Sequence, residues 1–416
     1  MVGGWAYLGA FAGTLTLALV LTPVALRVAQ RRAILDRPGG YKLQESSIPY
    51  LGGVALVVAF AAVVWTAAWL GPPAGGFREL TAILGLGVGL SIMGLVDDLR
   101  GGLPPLFRLA VQIAAGIAVW TVGIRVGLFP SEALNAFVTV FWVVGVTNAF
   151  NLLDNMDGLS AGVAATAAGS FFLIAAINGQ VLVASMAVAL AGCALGFLKL
   201  NFHPARIYMG DAGSMFLGFV LAVLGIKLVF GVSGQATFLV PVLVLGVAIF
   251  DTALVTACRL YHGRHPLKGG RDHVSHRLLL LGLPVRVAVG LTYAVGVALG
   301  WLALIMPRVD LVTGLLIAGL LASVAALLGG LLAAVPVYDS SRHRHFRLQE
   351  VRLQNGFPKK AQRHLRVVSS AGAPHHQLHD PQRQVADATP VPKYLRFSAT
   401  VKFEQARPPA VESPRT

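Results

Sequence analysis

Apolar runs of about 20 residues, the length a helix needs to cross a bilayer, follow one another along most of this chain. Eleven can be marked, at residues 5–28, 50–70, 79–96, 108–124, 133–150, 159–177, 181–199, 213–230, 237–257, 285–306 and 309–335. The roughly ten-residue alternating segments of a membrane barrel are not the pattern here. The predicted fold class is therefore all-α: a polytopic transmembrane helical bundle of about eleven spans.

The loops alternate in character. One set (27–50, 97–108, 148–158, 199–212 and 258–286) carries fifteen Lys and Arg, and the other carries only Arg78, Arg125 and Arg308. The positive-inside rule assigns the first set to the cytoplasm. Eleven spans then put the N-terminus outside and the C-terminus in the cytoplasm. Lys227, within a span, fits neither set and is expected to snorkel outward.

Four polar clusters interrupt the apolar pattern, all in the basic set of loops: VDDLRG, NAFNLLDNMDGLSAG, NFHPARIYMGDAGS and HPLKGGRDHVSHRLL. Carboxylates at a membrane edge are costly unless a cation, a partner or a polar substrate uses them. Asp97 and Asp98 point about 100° apart on a helix and cannot share one role. Arg108, opening the next run, could face the same site. Asn148, Asn151, Asp154 and Asp157 step by three and suit oxygen coordination of Mg²⁺. Asp211 lies between glycines that would let backbone N–H groups approach a phosphate at a helix start. His273 and His276 are spaced i, i+3, and the Lys and Arg around them favour an anion over a transition metal. Asp251, about two turns inside a run, is a further candidate by its position alone.

Composition refines this reading. Hydrophobic residues make up 56% of the chain and charged ones 12%, about half the charged share of a soluble domain. The formal charge of +15 is concentrated: residues 340–416 hold fourteen basic and five acidic residues. Topology explains the remainder, so no nucleic-acid partner is expected. The division is a membrane-embedded catalytic domain at 1–339 and a basic, disordered cytoplasmic tail at 340–416. Cys193 and Cys258 sit in apolar surroundings and read as packing residues. The first run lacks a basic n-region and reads as a retained span.

Taken together, VDD, NxxNxxDxxDGL, MGDxGS and RDHxxHR resemble the polyprenyl-phosphate N-acetylhexosamine-1-phosphate transferases, in order and spacing over roughly residues 10–339. The resemblance implies transfer of a HexNAc-1-phosphate, GlcNAc-1-phosphate above all, from a UDP-N-acetylhexosamine to a polyprenyl phosphate, with release of UMP. It implies catalytic roles for Asp97, Asp98, Asp154, His273 and His276. Substrate contacts fall to Lys42, Arg108, Asp157, Asn201, Tyr208 and Arg271, with Asn201 and Tyr208 around the uridine. Asp211 and Asn151 would ligate Mg²⁺, or Mn²⁺ in its place. The lipid bilayer is a partner, a homodimer is compatible, and the place is a bacterial inner membrane with the site on the cytoplasmic side. Ser275, in RDHVSHR, separates the chain from the compact three-histidine run of the pentapeptide transferases, which are the alternative. A secondary transporter would place its polar groups near the midplane.

Overall fold

A computed structural model describes residues 4–36, 47–72, 77–228, 236–266 and 269–338. The tail and Lys42 lie outside the described residues. Thirteen α-helices are described: α1 (Gly4–Arg31), α2 (Gly52–Leu70), α3 (Arg78–Arg100), α4 (Pro105–Thr121), α5 (Glu132–Leu153), α6 (Leu159–Ile177), α7 (Val181–Asn201), α8 (Gly210–Lys227), α9 (Leu239–Val244), α10 (Gly246–Tyr261), α11 (Val274–Leu280), α12 (Val285–Ile305) and α13 (Leu311–Ala333). A two-residue ladder, β1 (Leu35–Asp36) with β2 (Ile48–Pro49), is antiparallel and pairs Leu35 with Pro49.

The chain is an all-α polytopic membrane protein. Among the described residues nine helices are long and apolar enough to cross a membrane. The eleven predicted runs differ from that count for two reasons. The α4 helix has only 17 residues, because Pro105 sets its start and the chain turns off after Thr121. The run at 237–257 is two helices, α9 and α10, broken at Leu245.

The apolar pattern also decides depth in the bundle. The α8 helix is apolar on all sides, and 83% of its spanning window is buried, whereas α13 buries only 6% of its own. A helix apolar all round belongs either inside a core or in lipid, and these two occupy the two environments. Around α8 stand α2, α3 and α5. Glycine lets them approach: a Cβ on Gly94 of α3 would lie 2.5 Å from the Asp211 backbone. The antiparallel α3–α8 pair is fastened at its far end by Lys227 Nζ on Glu79 Oε2 at 2.6 Å. Lys227, the last residue of α8, thus reaches the end of the bundle where α3 begins and meets a counter-charge there.

Candidate active site

The site begins where α3 stops. Gly101 takes the left-handed conformation (φ 72°) and ends the helix, as glycine does at this position. The chain doubles back so that the Leu103 N–H donates to the Asp97 carboxylate. Pro105 then opens α4, where its missing N–H costs nothing. Arg108, in the first turn, donates to the other Asp97 oxygen at 2.9 Å. The same guanidinium donates to Asn151 Oδ1 at 3.0 Å and pairs with Asp211 Oδ2 at 3.0 Å. Asn151 Nδ2 donates to Asp211 Oδ1 at 2.8 Å and to Ser214 Oγ at 3.1 Å. Ends of α3, α4, α5 and α8 thus bring three side-chain oxygens onto one positive charge.

Asp98 points elsewhere, as its neighbour's direction requires. Its Oδ2 accepts from the Asp211 N–H at 2.9 Å, and the carboxyl group also bonds the Ala212 N–H. A carboxylate there completes the positive end of α8. Gly210 (φ 71°) has no room for a Cβ beside that carboxylate, and a Cβ on Gly213 would lie 2.7 Å from Gly53 Cα. The glycines of MGDAGS therefore serve the Asp98 contact and the α2–α8 crossing. The expected phosphate cradle at this helix start is replaced by Asp98, whose geometry positions Asp211.

The α5 helix ends at Leu153, so Asp154 and Asp157 lie in the turn that Gly158 (φ 77°) closes before α6. Burial, then the nearby Asp211 and Asp157, push the half-buried Asp154 carboxyl up to about 7. Asp157 pairs with His203 Nδ1 at 2.8 Å, accepts from the Ala205 N–H at 3.0 Å and bonds the Tyr208 hydroxyl. Burial and the surrounding acids push the Tyr208 phenol above its usual range. Asn201, expected at a uridine, is buried and committed to the main chain. Its Oδ1 accepts from Gly158 N at 3.1 Å and its Nδ2 donates to Ile207 O at 3.0 Å. It holds the two loops together. Asn148 also turns from the site, donating to Gln112 Oε1 at 2.6 Å.

The fourth cluster docks beside these. Ser275 donates to Asn155 Oδ1 at 2.6 Å, fastening the histidine loop to the α5–α6 turn. Asp251, buried in α10, lies 2.7 Å from His273 Nδ1 and accepts from the Val274 N–H at 2.7 Å. His273 precedes α11 in an extended conformation, and its ring centroid is 6.3 Å from that of His276. Burial, then His273 and Arg271, bring His276 down to about 3, which keeps its imidazole neutral at physiological pH. Arg271 thus stands near His276. The sequence carries no signal for the Asn155–Ser275 bond or for the Arg259–Asp272 pair, whose two hydrogen bonds are 2.7 and 2.8 Å. A charge of each sign thirteen residues apart carries no periodic signal.

A family model described as glycosyl transferase family 4 matches residues 80–229, which include both acidic helix ends. A Bacillus subtilis (strain 168) protein named "Probable undecaprenyl-phosphate N-acetylglucosaminyl 1-phosphate transferase" is 30% identical over 69% of this chain and 81% of its own length. The "Decaprenyl-phosphate N-acetylglucosaminephosphotransferase" of Mycolicibacterium smegmatis is 34% identical over 59% of this chain and 68% of its own. A "Phospho-N-acetylmuramoyl-pentapeptide-transferase" of Desulforudis audaxviator is 32% identical over 50% and 71%. The chain belongs to glycosyl transferase family 4, and within it to the membrane-bound enzymes that transfer sugar phosphates to polyprenyl phosphates.

Proposed function

We propose that this chain transfers N-acetylglucosamine 1-phosphate from its UDP derivative to a polyprenyl phosphate, on the cytoplasmic face of a bacterial inner membrane. UMP is the second product. The observation that carries this reading is the convergence of Asp97, Asn151 and Asp211 on one cationic group at the ends of spanning helices. The names of the relatives above supply the lipid and the sugar. The concentration of Lys and Arg in the loops that hold the site supports the cytoplasmic side.

The same oxygens fit a hard divalent cation, Mg²⁺ or Mn²⁺. Among the described residues no three His, Cys, Asp or Glu side chains form a ready cage. Mg²⁺ commonly takes one or two carboxylates and leaves its remaining positions to water and substrate phosphates. Asp211 and Asn151 would hold it, with Asp97 beside them. When bound, it would neutralise charge on the donor diphosphate.

An oxygen of the lipid phosphate attacks the β-phosphorus of the UDP-sugar. The bond from that phosphorus to the oxygen bridging to the α-phosphorus breaks, and UMP leaves with the electron pair. Alignment and charge neutralisation dominate such reactions. A prenyl phosphate is already ionised near neutral pH, so Asp97 has little proton to remove. Its bonds to Arg108 and Leu103 suit the aiming of Arg108 at a phosphate. Neutral His276 would donate a hydrogen bond without adding charge, with Arg271 supplying a cation beside it.

Purified protein given Mg²⁺, a polyprenyl phosphate and UDP-N-acetylglucosamine should release UMP, and EDTA should stop it. The panel includes the UDP-N-acetylmuramoyl-pentapeptide, whose preference would favour the pentapeptide branch. No turnover with any UDP-N-acetylhexosamine would reject the assignment.

A further inference from the structure

The loop that carries Arg271, His273 and His276 is also gripped by residues outside the acidic cluster. Asp272, buried between the two site residues, forms a two-bond pair with Arg259 of α10, itself buried. Its Oδ2 also accepts from the Tyr338 hydroxyl at 2.8 Å. Burial opposes the charge, but the Arg259 and Tyr338 hydrogen bonds hold the Asp272 carboxyl below the usual carboxylate range. Tyr338 lies beyond α13, at the end of the described residues. Its ring is covered by Arg264, whose guanidinium carbon is 4.2 Å from the centroid, and meets the His262 ring at 4.6 Å. Arg277 of α11 completes the grip: its Nε donates to Asp272 O at 2.8 Å and its Nη1 to Leu332 O at 2.7 Å.

We propose that Tyr338 is a positioning residue for the sugar-nucleotide site, fixing through Asp272 the backbone from which Arg271 and His273 reach the donor. Neither the acidic cluster nor the family match at 80–229 includes it. The C-terminal end of the membrane domain is thus tied to the donor loop and not to the α3–α4–α8 centre. Its activity readout rests on the function proposed above, while its structural readout does not.

The test uses the full chain with Tyr338→Phe and Tyr338→Leu. The first keeps the ring under Arg264 and removes the hydroxyl, whereas the second removes both. A hydrogen bond to a charged acceptor is worth about 1.5–3 kcal/mol and is lost in both variants, so each should raise KM for the UDP-sugar about ten-fold or more, the leucine variant further because the ring is lost as well. KM for the polyprenyl phosphate should stay at the wild-type value. Hydrogen exchange at residues 269–276 should quicken in the same order, with exchange in α8 unchanged. Unaltered exchange at 269–276 in Tyr338→Leu would overturn the proposal. So would an equal rise in both KM values with faster exchange throughout the bundle. Absence of UMP release by the wild type would reject the functional reading alone, because the exchange result still decides the clasp.

Discussion

Alanine in place of Gly53 would put a methyl group 2.5 Å from Gly213 Cα and 2.6 Å from the Met209 carbonyl oxygen. Ordinary van der Waals contact begins near 3.4 Å, and these neighbours are backbone atoms that cannot swing aside. Helices α2 and α8 must then part by about 1 Å, at a cost of about 1–3 kcal/mol for overpacking. Asp211 lies two residues from Gly213 and moves with it, which shifts it relative to Arg108 and Asn151. A displacement of about 1 Å at a reacting centre costs on the order of 100-fold in rate. UMP release should fall by that factor in Gly53→Ala while the protein still purifies as a folded species. Gly85→Ala and Gly89→Ala on α3 meet nothing within 4 Å and serve as controls. Alanine is the better helix former by about 1 kcal/mol, so both should keep wild-type turnover. A Gly53→Ala enzyme as fast as these controls would refute the crossing as the device that places Asp211.

Arg108→Gln should destabilise the metal-free protein by about 3 kcal/mol, because two partly buried carboxylates lose their counter-charge. Melting in EDTA and in Mg²⁺ checks it: a larger Mg²⁺-dependent rise than in wild type is expected, and an equal rise would remove these oxygens from the cation site. His276 predicts a pH effect. Its folded-state value of about 3 lies below the ordinary 6.5, so between those values the unfolded chain binds a proton that the native chain does not. Its contribution to stability is complete above pH 6.5 and falls as the pH drops toward 3. The melting-temperature gap between wild type and His276→Gln should therefore narrow from pH 7.5 to pH 5; a constant gap would contradict the buried neutral imidazole.

Which residues converge was legible in the sequence, but the task of each was less so. Density and spacing of carboxylates at helix ends are visible in one dimension, and Asp97, Arg108, Asn151 and Asp211 do meet. The division between Asp97 and Asp98 followed from helix geometry alone. Asn201 and Asn148 were misread because a carboxamide that bonds a loop looks like one that bonds a ligand until its partners are seen. The break at Leu245 was hidden because both flanking pieces are apolar. The partner of Lys227 is not visible in one dimension, because Glu79 lies 148 residues away. The Asp272–Tyr338 contact is hidden for the same reason, its members being 66 positions apart.

The Glu79–Lys227 pair has a mechanical meaning. With Asp98 bonded to α8 at the other end, two helices of opposite direction are pinned at both extremities like rungs of a fixed ladder. Eighteen residues of α8 span about 27 Å, close to the hydrocarbon thickness of a bilayer. Sliding by a single turn would break both fastenings together. Lipids of unusual chain length must therefore bend around this rod, and the depth at which the chemistry occurs is set by protein rather than by membrane.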